Sequence, residues 1–269
     1  LEMADPNGPP QRGGLLVEVR NDGRGRVRMI LDTGASRSSI SSAYAAELGL
    51  ETADGGEVEG SAGTVAARQA AVEIELEGIE PLRADVFVYD FASYDALCVG
   101  ILGREMLERA PFQLRYGARE LVWRPEPPEA TIPMQLDHGI PRIAAELQGR
   151  AVDLRIDTGA ALAPGADAYL NVTRAQAEEL GLTGPPFAVF TATGTGGAVL
   201  ELPVHRLDSA EVAGVRLERP FAIVQPAVGY FARPDATGFL GNSVLDKLDP
   251  YLDYSRGRFG AGRGAQRRQ

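Results

Sequence analysis

The sequence predicts a mostly β protein of two similar lobes with a cleft between them. Three observations carry this. The tetrapeptide Asp-Thr-Gly-Ala occurs twice, as Asp32-Thr33-Gly34-Ala35 and Asp157-Thr158-Gly159-Ala160, each time after an apolar run. A second mark follows each copy, as Gly100-Ile101-Leu102-Gly103 and Gly238-Phe239-Leu240-Gly241. Between the halves lies the Pro- and Glu-rich stretch Arg124 to Ala130, which suits neither a helix nor a central strand.

Each half follows the same order of parts. The apolar runs Met29-Ile30-Leu31 and Leu154-Arg155-Ile156 read as strands that end at the aspartates. Helices are expected next, over Ser41 to Leu50 and Thr173 to Leu182, each with a hydroxyl N-cap and a Gly just past its end. The Asp-to-Gly spacing grows from 17 (32 to 49) to 24 (157 to 181), so the second half carries an extra loop, placed at Ala161 to Asn171. Gly-rich hairpins follow, over Val58 to Val65 and Phe190 to Val199. Alternation in Ala71-Val72-Glu73-Ile74-Glu75-Leu76 reads as a half-exposed strand. After the Gly-apolar-apolar-Gly marks come short helices, Arg104 to Glu108 and Asn242 to Leu248. Paired closing strands end each half, Phe112–Tyr116 with Leu121–Trp123 and Tyr251–Tyr254 with Arg258–Phe259. The expected organisation is an extension over 1–13, a first lobe over 14–124, a linker over 125–131, a second lobe over 132–260 and a basic tail over 261–269.

Composition narrows the function. The chain has 269 residues, enough for two modest cores, and 44% of them are hydrophobic. Its 32 glycines and 18 prolines favour short strands and turns over long helices. A net charge of −10 argues against nucleic acid as the main partner. Cys98 is the only cysteine, so no intrachain disulfide forms, and its apolar neighbours mark it as a buried small hydrophobe. No apolar stretch approaches the length of a membrane span. Leu1 to Gly13 is polar and carries no signal-peptide pattern, and the chain does not open on Met. The compartment stays open, with a lean to a periplasmic or secreted protein whose export segment lies upstream.

Other features read as structural. His205 is expected in a strand, His138 in a turn and Trp123 in the first lobe's core. Gly194-Thr195-Gly196-Gly197 lacks the Lys-Ser/Thr and the helix of a phosphate loop. Asn171-Val172-Thr173 matches a glycosylation acceptor, a pattern frequent by chance. Either aspartate alone would read as a turn former. The two together, in one repeated context, point to a two-carboxylate hydrolytic site. His-Glu-x-x-His, paired-cysteine metal spacing and a Gly-x-Ser-x-Gly elbow do not occur, so no metal or other cofactor is expected.

Leu31-Asp32-Thr33-Gly34-Ala35-Ser36, with the later Gly100-Ile101-Leu102-Gly103, resembles the aspartic peptidases of the retropepsin and pepsin type. The resemblance covers roughly residues 14 to 260 and implies a bilobal, pepsin-like architecture built from two retropepsin-like β-barrel lobes, active as a monomer on a peptide or protein substrate. It makes Asp32 and Asp157 the catalytic dyad of an endopeptidase, supported by Thr33, Gly34, Ala35, Thr158, Gly159 and Ala160. The glycines admit a tight turn beside the carboxylates, and the threonines hydrogen-bond across the lobes. Ala35 and Ala160 offer no hydroxyl to the carboxylates, which implies an optimum less acidic than that of a pepsin with Ser or Thr there. Ser61, Ala62, Gly63 and Thr64, with Gly194, Thr195 and Gly196, are flap candidates, and an ordinary hairpin turn is the competing reading for each. The chain departs from the family in two places. Ala161-Leu162-Ala163-Pro164-Gly165 lacks the hydroxyls of Ser36-Arg37-Ser38-Ser39, so the second loop is expected to be held differently, and the first hairpin lacks the tyrosine of pepsin flaps. Two alternatives remain open: a catalytically weak peptide-binding protein of the same fold, and a homodimer that uses only Asp32.

Overall fold

The computed structural model describes residues 2–3, 14–61, 63–90, 98–160, 162, 167–193 and 199–262. It is mostly β, with two sheets built to one plan and a third that joins them. In the first sheet the strands run in the order 2–3, 15–21, 26–31, 100–102, 39–40, 82–88, 63–76, 53–60, and 15–21 also pairs with 63–76. That extra pairing closes the sheet on itself, through Val19↔Leu76, Arg20↔Glu75 and Asn21↔Ile74.

The second sheet repeats the order: 188–193, 199–206, 220–224, 168–172, 238–240, 150–156, 140–147. Its closure differs in detail. Strand 63–76 is 14 residues long and reaches round to 15–21. Its counterpart stops at Arg206, and after Leu207-Asp208-Ser209 the chain re-enters as strand Ala210–Val212, which takes the equivalent place beside 140–147 through Glu146↔Glu211 and Leu147↔Ala210. One long strand in the first lobe is thus two short ones in the second.

The repeat roots the two key loops on equivalent strand pairs. Strand 26–31 runs parallel to 100–102 and strand 150–156 parallel to 238–240, with Leu31↔Leu102 and Ile156↔Leu240 as the last pairs before the aspartates. The second sequence mark follows from crowding. A Cβ on Gly100 would lie 3.1 Å from Ile40 Cα, and one on Gly238 2.8 Å from Val172 Cα, because a third strand crosses there. The helices form as the capping residues direct. Ser41 Oγ accepts from Tyr44 N–H and Gly49 ends helix 42–48 with φ 71°, while Thr173 and Gln176 make a reciprocal capping box on helix 174–179.

The third sheet is shared. The closing hairpins do form, 112–115 with 120–123 and 251–253 with 258–260, and they pair with each other through Phe112↔Leu252 and Gln113↔Tyr251. Strand 132–133 adds to the far edge. Phe112 and Phe259 are fully buried here, and one apolar core runs from Leu15 through both to Ala261. Burying so large an apolar surface between the halves ties them into one folding unit.

Several sequence expectations change. The proposed loop from Ala161 to Asn171 contains the strand Ala168–Val172, so the inserted segment ends before Ala168. Trp123 lies half-buried on the shared sheet, edge-to-face on Phe112 at 5.5 Å, instead of inside the first lobe's core. Glu2–Met3, expected in a polar extension, pairs with Leu16 and Leu15. Ala261, expected in the tail, is buried, and Gly262 N–H donates to Leu248 O at 2.8 Å. Asn171 is buried and accepts from Gln225 Nε2 at 2.7 Å, which removes it as an accessible glycosylation acceptor. His205 is in strand 199–206, and His138 sits in a turn with φ 51°.

Candidate active site

Asp32 and Asp157 stand at the same point of the two repeats and meet. Asp32 N–H donates to Leu102 O and Asp157 N–H to Leu240 O, both at 3.0 Å, so each aspartate is pinned to the strand beneath it. The side chains are half-buried and hydrogen-bonded to each other. Gly34 N–H donates to Asp32 Oδ1 at 2.7 Å; Gly159 and Ala160 N–H donate to Asp157 Oδ1 at 3.0 and 3.2 Å. A side chain cannot replace Gly34, because its Cβ would come 2.6 Å from Asp157 Oδ1, and Gly159 is pressed equally by the Asp32 carboxylate.

The threonines link the loops. Thr33 N–H donates to Thr158 Oγ1 at 3.0 Å and Thr158 N–H to Thr33 Oγ1 at 3.1 Å. Each hydroxyl then donates into the opposite lobe, Thr33 to Ile156 O and Thr158 to Leu31 O, both at 2.7 Å. Both threonines are fully buried. The four bonds are closed and reciprocal, so a shift of one loop disturbs the other.

The electrostatics separate the two acids. Burial holds the Asp157 carboxyl well above the ordinary range, and the neighbouring Asp32 charge pushes the same way. Burial also raises Asp32, but N–H groups of Gly34, Gly159 and Ala35 and the hydrogen bond from Asp157 pull it back. Both carboxyls are thus raised, Asp157 the further of the two. Tyr89, whose hydroxyl is 3.5 Å from Ser39 Oγ, is raised by burial, and the Asp32 charge adds to this.

The loops are braced differently. In the first, Ser38 Oγ accepts from Gly103 N–H at 2.8 Å and Ser38 N–H donates to Glu105 Oε1 at 2.7 Å. In the second, the amide of Asn242 does this work, with Nδ2 donating to Thr158 O at 2.9 Å and Ala160 O at 3.2 Å. Sequence reasoning placed Asn242 at a helix start and Tyr116 at the end of a closing strand and gave neither a role at the site. The available signal was the broken symmetry of the repeat, Gly103-Arg104 against Gly241-Asn242.

The first flap candidate is a hairpin of strands 53–60 and 63–76, with Gly60 opposite Gly63. Its tip seats on the short 3₁₀ turn Gly229–Ala232 of the second lobe: a Cβ on Gly229 would lie 2.5 Å from Gly60 O and 3.1 Å from the Ser61 carbonyl carbon. Thr64 is exposed and pairs with Glu59. Behind the tip, Arg233 Nη1 reaches Glu59 Oε2 at 3.5 Å, and Arg233 Nη2 lies 3.4 Å from His138 Nε2. His138 Nδ1 is 2.7 Å from Asp137, which also binds the buried Arg155 at 2.6 Å, and Arg155 stacks over Tyr230 at 3.8 Å. Nothing in the repeat pattern flagged this network. Ala62, Gly194, Thr195 and Gly196 lie outside the described residues.

Two half-buried, hydrogen-bonded carboxyls on mirrored, cross-linked loops define a candidate site for acid–base hydrolysis. Residues 17–106 match the aspartyl protease family model. The chain resembles the retropepsin-like aspartic peptidases, and that match supports a peptidase. Among solved structures, EIAV protease complexed with the inhibitor HBY-793 is 25% identical over 35% of this chain and 85% of its own, with a TM-score of 0.30. A retropepsin-like aspartic protease from Rickettsia conorii is 19% identical over 48% of this chain and 88% of its own, with a TM-score of 0.35. No curated protein matches. No helix among the described residues is long and apolar enough to cross a membrane.

Proposed function

We propose that the chain is an aspartic endopeptidase in which Asp32 and Asp157 form one intramolecular dyad. The observation that carries this reading is the hydrogen bond between the two carboxyls, with opposing influences on their proton affinities. Asp32, the ionised member, takes a proton from a bound water. Asp157, the protonated member, donates to the scissile carbonyl oxygen. The water attacks the carbonyl carbon, and as the tetrahedral species collapses a proton passes to the leaving amide nitrogen. The backbone N–H groups of Gly34, Gly159 and Ala160 keep both carboxyls oriented throughout, at no reorganisation cost.

The substrate of this reading is an extended polypeptide, held under the flap 53–76 by backbone pairing. With one aspartate from each half and a core continuous between the halves, one chain suffices, and the working unit is a monomer. The test is digestion of a diverse peptide library across about pH 3 to 8, with cut sites mapped by mass spectrometry. The reading expects internal cuts and an optimum clear of the strongly acidic range, since Ala35 and Ala160 give the carboxylates no hydroxyl. Peptides that bind without being cut at any pH would instead make the chain a binding protein, and a maximum near about pH 2 would contradict the electrostatic argument.

A further inference from the structure

The two lobes place a tyrosine at the same point of the repeat, and only one of the two is connected. Tyr116 follows closing strand 112–115 and Tyr254 follows 251–253. Tyr116 straddles the helix Asn242–Leu248 of the other lobe. Its N–H donates to Asp249 Oδ1 at 2.9 Å at one end, and its hydroxyl donates to Asn242 Oδ1 at 2.7 Å at the other. Asn242 is fully buried, and its NH₂ spends both hydrogens on Thr158 O and Ala160 O. Tyr254 has no such link: its hydroxyl is buried without a hydrogen-bond partner among the described residues, and the residue at the matching helix start is Arg104.

We propose that Tyr116 is a positioning residue for Asp157: through Asn242 it holds the loop 157–160 so that the N–H groups of Gly159 and Ala160 bear on the Asp157 carboxyl. The inference rests on the dyad reading above and adds to it a brace that crosses from the first half of the chain to the second half's acid. The chain of bonds is continuous. Tyr116 Oη to Asn242, Asn242 to the two carbonyls that flank Gly159, and the two N–H groups to Asp157 Oδ1 are all hydrogen bonds of 3.2 Å or less. Burial, with Asp246 and Asp249 nearby, keeps the Tyr116 phenol neutral, so it remains a donor throughout the working range. An Asn amide has two donors and one acceptor group, and here all three are engaged, which fixes its orientation. The asymmetry matters because the two acids do different work. Removing the brace loosens two donors that stabilise the ionised form of Asp157, so its proton is held more tightly still. The phenols that feel the Asp32 charge from other elements, Tyr89 and Tyr254, are kept neutral by burial and so bring no charge to the dyad.

The test compares the native chain with Tyr116→Phe, Asn242→Ala, the double variant and Tyr254→Phe. Each is assayed for kcat and KM against pH on a cut peptide. The same samples, labelled with ¹³C at the aspartate carboxyls, are titrated by NMR. Tyr116→Phe is expected to lower kcat roughly tenfold at unchanged KM, and to move the upper titration of the dyad to higher pH with the lower one in place. In the Asn242→Ala background it adds nothing further. Tyr254→Phe leaves the upper titration unmoved. An upper titration that stays fixed in Tyr116→Phe while only the melting temperature falls would overturn the proposal and leave Tyr116 a packing residue. If the native chain cuts nothing, the dyad reading fails on the assay, while the NMR titration still decides for or against the brace.

Discussion

Thr33 and Thr158 each donate a backbone N–H to the other's hydroxyl, at 3.0 and 3.1 Å, and each hydroxyl passes its own hydrogen to a carbonyl of the opposite lobe. Buried bonds of this kind are costly to break one partner at a time, because the groups left behind have no water to turn to. Thr33→Val strands Thr158 N–H and Ile156 O. It is expected to destabilise the fold by about 2–4 kcal/mol in urea denaturation and to abolish cleavage. Thr33→Ser, which keeps every donor and acceptor, is expected within about 1 kcal/mol of the native chain. Equal losses for Ser and Val would mean that the methyl group, not the hydrogen-bonded link, carries the effect.

The dyad should make stability depend on pH with a definite sign. Both carboxyls titrate above their unfolded values, mainly through burial, and Asp157 is the further raised. The folded state then binds more protons than the unfolded one across the window that opens at the ordinary carboxyl value of about 4 and runs upward. The contribution is fully present below that value and is lost as pH rises through the raised titrations. Asp157→Asn removes the acid. It should therefore become progressively more stable than the native chain between about pH 4 and 7, as read by denaturation at each pH. A constant difference over that range contradicts the assignment. Asp137 acts in the opposite sense: burial works against it, but Arg155 and His138 hold its carboxyl below the usual range, so its contribution is lost as pH falls. It is common to both proteins and cancels.

Flap seating gives a kinetic prediction. Gly60 and Gly63 pack on Gly229, where an added Cβ would clash at 2.5 Å with Gly60 O. Gly229→Ala should lift the tip, raising KM several-fold, and the left-handed backbone at φ 52° adds a stability cost of about 1–2 kcal/mol. Arg233→Ala cuts only the exposed pair with Glu59, and should raise KM less than Gly229→Ala does. Steady-state kinetics decides, and an unchanged KM in Gly229→Ala would mean that this hairpin does not cover the substrate.

Much of this architecture was legible because the chain repeats itself. Asp32, Asp157 and the helix caps Ser41 and Thr173 are local signals, and the glycines of both marks show through their repetition, although the strands that crowd them, 39–40 and 168–172, are distant in sequence. The pairing of Phe112 with Leu252 was not legible, since periodicity shows that a strand exists and not which edge it finds. The split of one long strand at Leu207–Ser209 was hidden for a related reason: the barrel closes either way. The site followed the same rule. The Asp-Thr-Gly loops announce themselves, whereas Tyr116, 126 residues from Asn242, and Arg233, 174 from Glu59, are joined only by the fold.

The central claim is that one chain supplies both acids. The most direct measurement is the cleavage rate of Asp32→Asn, Asp157→Asn and an equimolar mixture of the two, on a peptide the native chain cuts. The account predicts that each variant loses at least about 10³-fold in kcat/KM and that mixing restores nothing, because each chain carries one lesion in its own dyad. Substantial activity in Asp157→Asn would contradict it and assign catalysis to a dimer of first lobes, and recovery on mixing would contradict it by building the dyad from lobes of different chains.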